Sequence, residues 1–144
     1  MPALPLLRFD DLPSVHPEGG GGPGDVVLVL CAAWCGTCRG FEALAAETSA
    51  RMAGAAPAWA WIDIEDAADA LPSLDVETFP TLAVVRGGEL RFFGPILPDA
   101  RVLDRSVRAA LEGRGAPALP AGFSTDEGDE LLALAVRVAA AWQD

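Results

Sequence analysis

Cys31, Cys35 and Cys38 are the only cysteines of the chain, and all fall within VVLVLCAAWCGTCRGF, residues 26–41. Clustered thiols exchange disulfides, hold a metal ion or ligate an iron–sulfur cluster. Cys35-Gly36-Thr37-Cys38 has the spacing of an exchanging dithiol. In that chemistry the first sulfur attacks a disulfide and the second, one helical turn on, resolves the mixed disulfide. The first belongs at a helix N-terminus, where unpaired N–H groups and the helix dipole favour an anion and so a thiolate. Arg39 adds positive charge, and Gly36 removes bulk where a substrate disulfide approaches. Cys31 closes a run of five apolar residues and reads as a packed strand residue, since buried free cysteine behaves as a small hydrophobe. A second role is open to it, as an auxiliary thiol that traps oxidised Cys35.

The elements around the cluster suit the dithiol. VVLVLCA is β-branched and apolar throughout, which predicts a strand buried on both faces. From Cys35 the period changes to that of a helix, with Phe41, Leu44, Ala45, Thr48 and Met52 on one side and Gly54 as its C-cap. LPLLRF, residues 4–9, is a short first strand, PEGGGGPG, residues 17–24, a flexible loop, and AWAWIDI, residues 58–64, a second buried strand. EDAADALPSLD predicts a short broken helix. TLAVV and ELRFF flank Arg86-Gly87-Gly88 as a hairpin. Asp99 caps a helix with Leu103, Val107 and Leu111 on one face. Strands alternating with helices imply a mixed sheet covered on both faces.

Residues 1–113 thus read as one domain and residues 114–123 as a linker, with a helical extension over 124–144. Ser124 and Glu127 have capping-box spacing, and Leu131, Leu134, Val138 and Trp142 form a stripe that must be buried. It docks onto its own domain or meets a second copy or another protein.

The net charge of −11, with all ten basic residues arginine and no basic stripe, excludes nucleic acid and anionic membrane as partners. No apolar run reaches the roughly 18 residues of a membrane span, and MPALPLLRFDDLP lacks the basic start of a secretory leader. The expected compartment is the cytoplasm, where clustered cysteines are catalytic or metal-binding rather than structural.

Trp34-Cys35-Gly36-Thr37-Cys38-Arg39 resembles the active-site motif of the thioredoxin family. Ile62-Asp63-Ile64-Glu65 is similar to the family's central strand ending in an acidic residue. Phe79-Pro80-Thr81 resembles the loop whose proline is cis and lies beside the dithiol, and Gly88, seven residues after Thr81, matches the turn glycine. The resemblance covers about residues 25–112. It implies an α/β, thioredoxin-like fold with a mixed central sheet flanked by helices, to which the C-terminal helix is extra. It implies a thiol–disulfide oxidoreductase needing no cofactor beyond the dithiol. Cys35 would be the nucleophile and Cys38 the resolving cysteine, with Trp34, Gly36, Thr37, Phe79 and Pro80 in the substrate groove. Protein disulfides are the implied substrates, with a thioredoxin reductase or another dithiol donor as reductant.

The chain departs from the family at named positions. Val29 stands six residues before Cys35, where thioredoxins carry a buried aspartate, and Trp61 stands where they carry a lysine. Thr37 and Ala43 replace prolines, and the glycine loop takes the place of the first helix. Water or an acidic side chain such as Glu65 would then accept the proton from Cys38. A binding module with an incidental or regulatory dithiol is the alternative these losses support.

The metal readings lack ligands or chain. Tetrahedral zinc needs four ligands, and the only histidine, His16, reads as a solvated loop residue. Cys31-x3-Cys35-x2-Cys38 has the spacing of radical-SAM motifs, but those enzymes resemble large barrels, and 144 residues leave too little chain. The CxxxC of copper-delivering thioredoxin-fold proteins is usually joined by a distant histidine, and none follows here.

Overall fold

Val26–Cys31 (β2) has no polar side chain to keep in water, and the structure, a computed structural model, buries all six of its residues at the centre of a five-stranded sheet. The structure describes residues 6–13, 24–32, 34–52, 57–74, 76, 78–113 and 115–142. His16, most of the glycine loop and Gly54 lie outside them. The other strands are Leu7–Arg8 (β1), Ala58–Asp63 (β3), Thr81–Arg86 (β4) and Glu89–Pro95 (β5), in spatial order β1-β3-β2-β4-β5. β3 runs parallel to both β1 and β2, whereas β2–β4 and β4–β5 are antiparallel, so the sheet is mixed.

Alternation along the strands separates two cores. Val27, Val29 and Cys31 join Trp59, Trp61, Leu82 and Val84 on one face. Gly36–Arg51 (α1) covers that face with Cys38, Phe41 and Ala45, and Ala100–Glu112 (α2) with Leu103 and Val107. Val26, Leu28, Leu30, Ala60, Ile62, Ala83 and Val85 line the other face. Thr125–Trp142 (α3) covers it with Leu131, Leu134, Ala135 and Val138, while Trp142 is half-buried. Full burial of each large aliphatic side chain contributes roughly 1.5–3 kcal/mol, so the stripe of α3 is spent on its own sheet. Among the described residues no helix is long and apolar enough to cross a membrane.

Local signals set the ends of these elements. The Asp99 carboxylate accepts from the amides of Arg101 and Val102, at 2.8 and 3.2 Å, and Gly113 closes α2 at φ 69°. Ser124 and Glu127 form the reciprocal capping box, with Glu127 N donating to Ser124 Oγ at 3.1 Å and Ser124 N to Glu127 Oε1 at 3.0 Å. Gly87 and Gly88, both at positive φ, turn β4 into β5.

Three expectations are corrected. Among the described residues of the strand read as 4–9, only Leu7–Arg8 is extended in the sheet, and Phe9–Asp11 forms a 3-10 turn. Residues 64–70 are a series of turns rather than a broken helix, and Pro72, which has no amide hydrogen, follows them. The strand read as 58–64 ends at Asp63, because the Asp63 carboxylate accepts from Glu65 N at 2.8 Å and turns the chain. The described part of the linker read over 114–123, residues 115–123, passes along the edge of β5. Phe93 N donates to Ala118 O at 3.0 Å and Ala118 N to Arg91 O at 2.9 Å, which occupies part of an otherwise open strand edge.

Candidate active site

β2 delivers the chain to the end of the sheet where α1 begins. Cys31 is its last residue, 1% exposed and facing α1. The chain then reverses, with Cys35 N donating to Ala32 O at 3.0 Å, and Cys35 becomes the N-cap of α1 in extended conformation. Cys38, in the first turn of the helix, drops back onto Cys31. The two Cα atoms are 5.9 Å apart and the sulfurs are bonded. Cys38 is 2% exposed, so the bond lies inside the core among Val29, Phe41 and Trp61. Cys35 remains a thiol, half-buried, with its inner side packed on the same cluster.

The partner of Cys38 therefore differs from the one that CxxC spacing suggests. Cys31 is the packed strand residue expected, but it is bonded to Cys38 rather than poised to trap Cys35. The physical reason is the reversal between β2 and α1. It lays the strand's last side chain beneath the helix's first turn, and sequence separation alone does not reveal that.

The surface around Cys35 is apolar and open. Trp34 is 64% exposed, and its ring meets that of Phe79 edge-on at a centroid distance of 5.6 Å. The Phe79–Pro80 peptide bond is cis, and Pro80 is buried. Thr81 Oγ1 donates to Thr78 O at 2.6 Å and Ile96 N to Pro80 O at 3.1 Å, which hold this loop from both sides. The tie from Ile96 is a backbone bond to which the sequence carries no signal. Gly36 and Thr37 are exposed, and a side chain at Gly36 would meet only open space, so a large partner has room there. Arg39 is exposed one turn into α1.

Glu65 is exposed in the turn after β3, at the same end of the sheet as Cys31, with which Asp63 is in register. Val29 and Trp61, which stand where the family has an ionisable pair, are direct neighbours across β2 and β3 and both buried. The pair is thus replaced by apolar packing, extended by the tilted contact of Trp61 with Phe41. Among the described residues no group of three histidine, cysteine or acidic side chains is placed to hold a metal ion.

Comparison with known proteins agrees with this architecture. Solved structures with the same fold include a mutant thioredoxin from Halobacterium salinarum, at 18% identity and a TM-score of 0.54, covering 77% of this chain and 96% of that one. Another is the germline-specific thioredoxin Deadhead from Drosophila melanogaster, at 21% identity and a TM-score of 0.51, covering 60% and 81%. A third is the first thioredoxin domain of mouse protein disulfide-isomerase A4, at 20% identity and a TM-score of 0.50, covering 70% and 71%. No curated protein sequence matches. The thioredoxin family model matches residues 22–94, half of the chain and the part that carries all three cysteines, and the protein therefore belongs to the thioredoxin family.

Proposed function

We propose that the protein is a thiol–disulfide oxidoreductase of protein substrates. The observation that carries this reading is the placement of the Cys35 thiol. It stands at the N-cap of α1, reachable from solvent, with a disulfide-forming sulfur one turn behind it. In the reduced protein, the Cys35 thiolate attacks one sulfur of a client disulfide. A mixed disulfide forms and one client thiol leaves. Cys38 then attacks the Cys35 sulfur and releases the second client thiol, and a dithiol donor such as a thioredoxin reductase returns the two electrons. Exposed Trp34, edge-on to half-buried Phe79 beside Pro80, offers the client an apolar seat, and Gly36 and Thr37 leave its backbone room. Glu65, at the same end of the sheet, is the proposed proton acceptor, and Arg39 the proposed positive neighbour of the thiolate. A reducing compartment such as the cytoplasm would keep the surface thiol available.

Dithiothreitol-driven insulin reduction tests this. Wild type should precipitate the insulin B chain well ahead of dithiothreitol alone, and Cys35→Ser should remove the acceleration. A wild-type rate equal to the uncatalysed one would refute the reading. It would favour a binding module, to which the apolar Val29–Trp61 pair lends support because it offers Cys38 no proton acceptor.

A further inference from the structure

Cys38 can reach two sulfurs. Cys35, the N-cap of α1, lies three residues before it, close to the helix face that Cys38 shares. Cys31 lies beneath it in the core, and this is the sulfur to which it is bonded. The two possible disulfides differ in access. A Cys35–Cys38 bond would involve the half-buried, solvent-reachable thiol, whereas Cys31–Cys38 joins residues 1% and 2% exposed. Thiol–disulfide exchange requires access to a sulfur, so the inner bond is shielded from thiols in solution.

We infer that Cys31 is a third redox cysteine, which takes Cys38 from Cys35 and turns the oxidised protein into a monothiol that shuffles client disulfides. This rests on the dithiol reading above. Client reduction leaves Cys35–Cys38. The Cys31 thiol, giving up its proton, attacks Cys38 Sγ. The Cys31–Cys38 bond forms, the Cys35–Cys38 bond breaks, and Cys35 departs as a thiolate that takes up a proton. One disulfide is exchanged for another, with no net oxidation and no added reagent. Cys31 is buried among Val29 and Trp61, so this inward transfer is slower than the first attack by the half-buried Cys35.

The consequence is a change of activity. In the reduced protein, Cys38 resolves mixed disulfides and the client leaves reduced. In the oxidised protein Cys38 is occupied, so a client bound to Cys35 is not resolved from within. Its own freed thiol attacks another client sulfur, and a thiol of the client finally displaces Cys35. The client leaves with its disulfides rearranged and the protein is unchanged. The substrate class is therefore a protein with mispaired disulfides, and no reductant is consumed.

Two measurements on the full chain decide the matter. The reduced protein is oxidised with one equivalent of diamide, quenched with acid at intervals, and its free thiols are alkylated and mapped by mass spectrometry. The label should start on Cys31 and move to Cys35. A label that stays on Cys31 would overturn the inference. So would a Cys31–Cys38 bond that dithiothreitol fails to open in the native protein by way of Cys35, whose thiol attacks Cys38 and returns the outer bond that dithiothreitol reduces, because the inner bond would then be a fixed staple. In the second measurement, fully oxidised protein is added to scrambled ribonuclease without reductant. Wild type should restore ribonuclease activity. Oxidised Cys31→Ser, which has no free thiol left once Cys35 and Cys38 pair, should lose that ability, as should Cys35→Ser. Equal recovery by wild type and Cys31→Ser, or none by wild type with Cys35 labelled, would overturn the shuffling activity. Insulin reduction by the reduced protein is read separately. Success there with the label fixed on Cys31 would sink only this inference, while failure there with Cys35 labelled would sink the dithiol reading.

Discussion

Replacing Val29 by aspartate tests how thoroughly the site is sealed from below. Val29 is fully buried, in register with Trp61 on one side and Leu82 on the other, and shares a cluster with Cys31 and Cys38. Loss of its apolar burial costs roughly 1.5–3 kcal/mol. Its cross-strand neighbours are the buried, apolar Trp61 and Leu82, so the new carboxyl would stay protonated in the folded state, with its folded pKa raised. Holding the proton costs about 1.4 kcal/mol for each pH unit above the ordinary aspartate value near 3.9, hence roughly 1.5 kcal/mol at pH 5 and about 4 kcal/mol at pH 7. The unfolded chain gives up the proton that the folded chain retains. Stability of the variant therefore falls, relative to wild type, as pH rises from about 4 towards the raised folded value. Urea unfolding at pH 5 and pH 7 should show the gap between wild type and Val29→Asp widening by roughly 3 kcal/mol. That is a large share of a stability of about 5–15 kcal/mol. An equal gap at both pH values would show that the carboxylate reaches water or a donor, and the sealed floor under Cys38 would be refuted.

Other outcomes follow from single features. Asp99→Ala removes the acceptor for two amides of α2 and should lower stability by about 1 kcal/mol, seen as a lower urea midpoint at unchanged slope. Leu134→Ala, at a position 1% exposed between α3 and the sheet, should cost about 2–5 kcal/mol in the same assay. In the native reduced protein, iodoacetamide should modify Cys35 well before Cys31 or Cys38, because only Cys35 is open to solvent; peptide mapping of the alkylated product reads the order.

What the sequence reveals here depends on whether a feature is local. The hairpin is legible at Arg86-Gly87-Gly88 because the turn requires positive φ and glycine supplies it. The start of α2 is legible at Asp99 and that of α3 at Ser124 and Glu127, since each cap is made by side chains within three residues. The uniform apolarity of β2 announces a strand covered twice. The pairing of Cys31 with Cys38 is not legible in this way, because it depends on the angle at which the chain leaves β2 and re-enters as α1. The passage of residues 115–123 along β5 is equally hidden, since it rests on backbone hydrogen bonds that any non-proline residue can make. Turns over residues 64–70 fail as a helix although their composition favours one, which tertiary context readily overrides. Trp59 and Trp61 are both in the core.

The packing of α3 also has a consequence for biosynthesis. The face formed by Leu28, Leu30, Ile62, Ala83 and Val85 is flanked by Leu12, Ala67 and Leu71, but its helical cover comes from residues translated after every strand and both other helices. An emerging chain can complete the redox half of the molecule, with α1 and α2 in place over Cys31 and Cys38, while the reverse of the sheet still lacks its helix. Exposed apolar surface of that kind is what draws nascent chains into aggregates or into the hands of chaperones. Arrival of α3 also secures the opposite end of the sequence, as Arg137 Nε donates to Pro13 O at 2.7 Å and its guanidinium lies 4.9 Å from the centre of the Phe9 ring. Translational pausing ahead of residue 124 would prolong the vulnerable interval without altering a single residue of the active site.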